Sequence, residues 1–304
     1  MIATLYIKGF ELFLQLEKNL SKNTIDAYIR DIQKLEKFAS INQLKIDVLN
    51  PSNDFFDEFI KWLVKSGCAA TSQARILSGI RSFYDYLVLE KYIDKNPTDL
   101  LEFPKMTRKL PSFLTITEIE SLIQQIDASK IGGFRNKVIL ELLFACGLRV
   151  TELVNLKHDQ VYFKEECILV TGKGNKQRLV PISKNALNLM KLYMETERQK
   201  TEAKPKDKEI FFLSRRGSRL SREFIFTMVK QLALKAGIRK NVSPHTFRHS
   251  FATSLITNGA DLRAIQNMLG HESITTTEIY AHLDRKHLQK VVDQFHPRSK
   301  KQLK

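Results

Sequence analysis

Proline fixes its own φ and removes a backbone donor, so neither a helix nor an inner strand runs through a proline-spaced segment. Between residues 96 and 114 helical periodicity lapses, and "NPTDLLEFPKMTRKLPSFLT" sets Pro97, Pro104 and Pro111 among basic residues. Such a stretch reads as an extended linker. At 304 residues, 43% of them hydrophobic, the chain has the material for a packed core on either side of it. The boundary is placed at Thr107, giving an N-terminal domain over residues 1–106 and a C-terminal domain over residues 107–304 that ends in a basic tail, "HPRSKKQLK".

Before the linker, Ile25, Tyr28, Ile29, Ile32 and Leu35 recur at helical spacing behind a Ser21 cap, and "FFDEFIKWLV" and "ARILSGIRSFYDYLVLEKY" show a similar pattern. A compact four-helix unit is expected there. After it, Thr117 and Glu120 are spaced as a capping box for the first helix of the second domain, and "FRNKVILELLFACG" is a helix stopped by Gly147. Further helices are expected around "SREFIFTMVKQLALKAG" and over 244–258, 261–269 and 273–283. The exception is "CILVTGKGNKQRLVPIS", two β-prone runs about a Gly-Lys-Gly-Asn turn. It reads as a hairpin with Lys173 at its tip, followed by Lys176 and Arg178. The fold class is therefore mainly α with a small β-hairpin: a helical bundle joined to a larger α+β domain.

Charge narrows the function. Residues 1–106 carry 14 Lys+Arg and 14 Asp+Glu, so the whole surplus of +16 falls in residues 107–304, which should face a polyanion. No basic amphipathic anchor helix supports a membrane surface as that polyanion. No run of about 18 apolar residues is present, and the start lacks the blocks of a signal peptide, so a cytoplasmic protein is expected. Cys68, Cys146 and Cys167 are far apart and form no CxxC, which argues against a disulfide framework or a thiolate metal site.

The stretch "HTFRHS" (245–250) crowds His245, Arg248 and His249 into a short helical segment, with His245 and Arg248 on one face and Phe247, Phe251 and Leu255 pointing to a core. A zinc hydrolase would want Glu after the first histidine, where Thr246 stands, and no carboxylate cluster is near. Alone, the stretch fits a structural histidine as well as a functional one. Four other stretches change this: "GLRVTEL" with Arg149, "GKGNKQR" with Lys173, "MLGHES" with His271 and "TTTEIYAHL" with Tyr280. In this order the set resembles the tyrosine recombinase (phage integrase) family, most closely its XerC/XerD type, with an "HPRS" ending nearer the XerD kind. "SKNTIDAYIRDIQKLEKF" and "ARILSGIRSFYDYL" look like the family's SAM-like, DNA core-binding domain, so the resemblance spans nearly the whole chain.

The resemblance implies a recombinase that clamps duplex DNA, with Arg149, Lys173, His245, Arg248 and His271 around the nucleophile Tyr280. Elementary chemistry agrees. Guanidinium forks match the nonbridging oxygens of a phosphodiester under attack, which suits Arg149 and Arg248. A phenol of pKa near 10 is ionised in roughly one molecule in a thousand at neutral pH, a deficit of about 4 kcal/mol that cations and an adjacent base can offset. His245 is the candidate base, His271 a phosphate ligand, and Lys173 the proton donor to the departing 5′ oxygen. Glu152 is expected to orient a neighbouring cation, and Arg215, Arg216, Arg219 and Arg222 to contact phosphates. Neither a metal nor a nucleotide cofactor is required.

As partners the resemblance implies double-stranded DNA, a homo- or hetero-tetramer with a second recombinase on paired sites, and an accessory DNA translocase of the FtsK type. In such assemblies each tail, here residues 286–304, packs against a neighbour. Chromosome-dimer resolution at a dif-like site is the expected role. The alternatives are a mobile-element integrase, a type IB topoisomerase, and a noncatalytic DNA-binding protein.

Overall fold

A computed structural model describes residues 4–42, 49, 51–104, 112–172, 176–270 and 281–300 of the chain. The chain divides into two compact units, Met1–Lys109 and Leu110–Lys304.

The first unit holds helices α1 (Thr4–Leu16), α2 (Lys22–Ile41), α3 (Asn53–Lys65) and α4 (Ala70–Leu89). Ser21 caps α2 as expected, its Oγ accepting the N–H of Thr24 at 3.4 Å. Aromatic rings fill the core, with Phe10, Phe56, Phe59, Phe83 and Tyr84 all fully buried. One charge enters this core. Asp31 on α2 is buried, and Arg75 of α4 donates to both of its oxygens at 2.6 Å, pinning two helices that also pack against each other.

The second unit begins with α5 (Ile116–Gln124), α6 (Gly133–Cys146) and α7 (Val150–Val154). A three-stranded antiparallel sheet follows: β1 (Val161–Tyr162), β2 (Cys167–Thr171) and β3 (Gln177–Pro181), in the order β1-β2-β3. Val170 is paired with Arg178 and Ile168 with Val180, so β2 and β3 lie antiparallel as the two arms of the expected hairpin. Helices α8 (Lys184–Tyr193), α9 (Arg222–Lys235), α10 (Pro244–Thr257), α11 (Leu262–Leu269), α12 (Ala281–Phe295) and α13 (Pro297–Lys300) complete it. Helix α6 is apolar nearly all round and sits in the core against α8 and α10, where Ile139, Leu142, Leu143 and Phe144 are fully buried.

One expectation is corrected. The capping box of α5 uses Thr115 and Glu118, not Thr117 and Glu120: Thr115 Oγ1 accepts Glu118 N–H at 3.2 Å, and Glu118 accepts the N–H of Thr115 at 2.8 Å. "TITEIE" offers both frames, and the helix starts from the first, at Ile116. Glu118 also meets Lys240 at 2.7 Å, while Glu120 faces Arg298 at 3.5 Å.

Within the single chain, the segment expected to reach a neighbour packs on its own domain. Leu288, Val291 and Val292 of α12 join Phe251, Leu255 and Met268 in one apolar cluster. Burying those side chains outweighs leaving them in water when no partner is present. His296 is fully buried behind them. Its Nδ1 accepts the N–H of Arg298 at 3.2 Å, so Nε2 carries the proton and donates to the Phe144 carbonyl at 3.2 Å. Arg298 meets Glu141 of α6 at 3.1 Å. Of the helix expected over 273–283, residues 273–280 lie outside the described residues and 281–283 belong to α12.

Burial above all, with the nearby charge of Arg298, pushes the His296 imidazole down to about 4 from an ordinary 6.5. A folded value below the unfolded one means that stability is complete above pH 6.5 and is lost as pH falls towards 4. Urea unfolding across that window should show wild type losing up to about 3 kcal/mol more than His296→Gln, which has no proton to take up.

Candidate active site

Helix α6 stops at Gly147, whose φ of 57° closes the helix in the left-handed region. A Cβ there would stand 2.5 Å from the Phe251 ring, so the position admits only glycine on two counts. The turn frees the Gly147 carbonyl and sends the chain into Arg149, which caps the start of α7. Glu152, one turn on, accepts the backbone N–H of Arg149 at 2.9 Å and its Nη1 at 2.9 Å.

The same carboxylate takes a second guanidinium. Arg178 of β3 donates Nη1 and Nη2 to its two oxygens, each at 2.8 Å. A bidentate pair of this kind fixes both partners in angle as well as distance. The third guanidinium belongs to Arg248 of α10, whose Nη1 donates to the Gly147 carbonyl at 2.7 Å.

All three arginines converge on the C-terminal end of α11. The last carbonyls of a helix have no partner within it and carry the negative end of its dipole. Here Arg178 Nε donates to Met268 O at 2.7 Å, Arg248 Nη2 to Leu269 O, and Arg149 Nη2 to Gly270 O at 3.3 Å. Three consecutive carbonyls each receive one guanidinium, drawn from a helix start, a strand and a helix.

The cluster keeps an excess of positive charge, three guanidiniums against one carboxylate. Burial would raise the Glu152 carboxyl, but Arg178 and then Arg149 outweigh it and hold the group below its ordinary value. Burial, followed by the positive charge of Arg149, pushes Arg248 down to about 10, which leaves it charged at neutral pH. Exposure grades the three: the Arg149 side chain is 40% exposed, that of Arg178 13%, and Arg248 is buried. Arg149 is thus the member that meets a solvent-borne anion most directly.

Of the residues singled out in the sequence, Arg149, Arg248 and Glu152 are brought together. His245 lies on the first turn of α10, three residues before Arg248, and is exposed; Phe247, Phe251 and Leu255 are fully buried, as their spacing required. Lys173, His271 and Tyr280 lie outside the described residues. Arg215, Arg216, Arg219 and Arg222 are exposed, with Arg215 Nε donating to Ile131 O at 3.2 Å and Arg219 to Asn155. Sequence reasoning noted Arg178 only as a hairpin residue and missed its place in the cluster. The available signal was strand alternation, which puts Arg178 on the same face as buried Val180. Among the described residues no group of three or more His, Cys, Asp or Glu side chains is placed to hold a metal ion.

Residues 112–287 match the phage integrase family, and residues 7–91 match the phage integrase N-terminal SAM-like domain. The chain belongs to the phage integrase family. It is 42% identical over 294 residues to tyrosine recombinase XerD of Staphylococcus saprophyticus, covering 96% of this chain and 99% of that protein. Tyrosine recombinase XerD of Staphylococcus aureus is equally similar, at 42% over 294 residues. Among solved structures, XerH site-specific recombinase bound to palindromic difH substrate aligns with a TM-score of 0.69 at 22% identity, over 95% of this chain and 94% of that one. The Tn1549 transposon integrase in complex with circular intermediate DNA aligns with a TM-score of 0.72 at 18% identity, over 92% and 98%. These structures share the integrase fold: a SAM-like helical unit and a mainly helical unit with one small sheet.

Removing Glu152 strands the largely covered guanidinium of Arg178 and the half-exposed one of Arg149. Glu152→Leu should lower unfolding free energy by about 3 kcal/mol in urea titrations, and Glu152→Leu combined with Arg178→Met should recover part of the loss.

Proposed function

We propose that this chain is a site-specific tyrosine recombinase that cuts and rejoins duplex DNA through a 3′-phosphotyrosine intermediate, acting in the cytoplasm to resolve chromosome dimers at a dif-like site. The observation that carries this reading is the arginine cluster at the end of α11, a fixed excess of positive charge in a chain of this family. A phosphodiester under attack gathers charge on its nonbridging oxygens, and donors already oriented by Glu152 and by helix carbonyls need no reorganisation to meet it. Arg149 and Arg248 take that role, with His271 as a further phosphate ligand.

Tyr280 is the nucleophile. Its phenolic oxygen bonds to phosphorus while the bond from phosphorus to the 5′ oxygen breaks. His245 accepts the phenol proton, and the Lys173 ammonium gives a proton to the departing 5′ oxygen. The phosphotyrosine retains the energy of the broken bond, so a 5′ hydroxyl from a second strand reverses the sequence without a nucleotide cofactor. The SAM-like unit supplies DNA core binding, and exposed Arg215, Arg216, Arg219 and Arg222 add phosphate contacts. The working assembly is a tetramer on paired sites, either of this chain alone or with a second recombinase, and a DNA translocase of the FtsK type is its candidate activator.

A nicked suicide substrate carrying a dif-like site tests the reading. Wild type should leave a covalent adduct that resists denaturant, while Tyr280→Phe binds the same DNA and leaves none. No adduct from wild type, or an adduct from Tyr280→Phe, overturns the assignment. Relaxation of plasmids lacking any such site would indicate topoisomerase chemistry instead. Binding should weaken steeply with salt, with log affinity falling linearly in log salt, because phosphate contacts release counterions.

A further inference from the structure

Arg178 takes no part in the chemistry just assigned, yet it is the most fully engaged of the three arginines. Its guanidinium donates to Glu152 Oε1, Glu152 Oε2 and Met268 O, and its side chain is 13% exposed. A group so committed is poorly placed to bind substrate. Its importance lies in what stands beside it.

Two glycines stand next to this guanidinium. Gly172, the residue before Lys173, is one: a Cβ on it would lie 3.7 Å from Arg178 Nη1 and 3.8 Å from Glu152 Oε1. Gly270, the residue before His271, is the other: at φ +63° its Cβ would lie 3.1–3.3 Å from the Arg178 side chain. Arg178 itself belongs to β3, paired with Val170 of β2. Strand β1 reaches only Cys167 and Ile168 at the opposite end of β2, so it does not steady the half of the hairpin nearer the tip. Arg178 ties that half to α7 through Glu152 and to the end of α11 through Met268.

We propose that Arg178 is a positioning residue that sets the root of the Lys173 hairpin against the Arg149–Glu152 pair, so that its loss impairs protonation of the departing 5′ oxygen. The inference rests on the recombinase reading above. Lysine does not substitute, because a point charge on a flexible stem cannot hold two carboxylate oxygens and a carbonyl at once.

A leaving-group exchange in the full-length chain separates this role from a general structural one. Single-turnover cleavage is measured on a nicked dif-like duplex with either the ordinary 5′ oxygen or a bridging 5′ sulfur at the scissile phosphate. Sulfur departs as a thiolate and needs no proton, so it bypasses a misplaced acid. Arg178→Lys and Arg178→Gln should cleave the oxygen substrate roughly tenfold to a hundredfold more slowly than wild type, the scale of a 1 Å misplacement. On the sulfur substrate they should approach the wild-type rate, with site affinity in gel shifts and the urea midpoint recorded alongside. Lys173→Ala serves as the control and should show the same rescue.

Equal slowing on both substrates, or no slowing on either, overturns the proposal. If Arg178→Gln fails to fold, Arg178→Lys, which keeps the charge, decides alone. Absence of any adduct from wild type would instead refute the recombinase reading, and absence of rescue in Lys173→Ala would refute Lys173 as the proton donor.

Discussion

The end of α11 leaves three carbonyls in a row without helical partners, and the catalytic unit is arranged around satisfying them. Unpartnered buried carbonyls are costly, and the negative end of a helix dipole favours cations. Arginines from α7, β3 and α10 answer both demands at once. The arrangement binds elements far apart in sequence: residues 149, 178 and 248 meet because each finds an acceptor on the same short turn. The charges are thus structural first. What remains of their field, after one carboxylate is subtracted, is available to an anion.

Such an arrangement has an energetic cost that its counter-charge only partly offsets. Burial disfavours the charged form of Arg248, and its arginine neighbours add repulsion. Glu152 counters both by standing inside the cluster, with a side chain 2% exposed and hydrogen bonds to two guanidiniums. Its carboxylate is held ionised despite burial, which keeps the arginines at fixed angles. Preorganised donors of this sort gain most from a low-dielectric setting and do not need to rearrange as charge develops.

Much of the fold was legible because its signals are local. The Ser21 cap, the Gly147 stop, the pairing of β2 with β3 and the period of α10 each depend on a few adjacent residues. Thr117 was misread as a cap because "TITEIE" holds two overlapping frames of the same spacing, and the helix starts from the first. Whether an amphipathic helix covers its own domain or another depends on which apolar surface lies within reach. At the site, Arg149 and Arg248 stood out through motifs, whereas Arg178 did not, because its significance comes from carbonyls on α11 that no sequence spacing announces.

Helix α12 and the His296–Arg298 turn lie against α10, α11 and α6, the scaffold on which the arginines meet. A nascent chain that reaches only residue 287 has α11 without its cover, so the surface that orients its terminal carbonyls is incomplete. Because α12 follows α7, β3, α10 and α11 along the chain, translation supplies the three arginines and their carbonyl acceptors before the cover that steadies them.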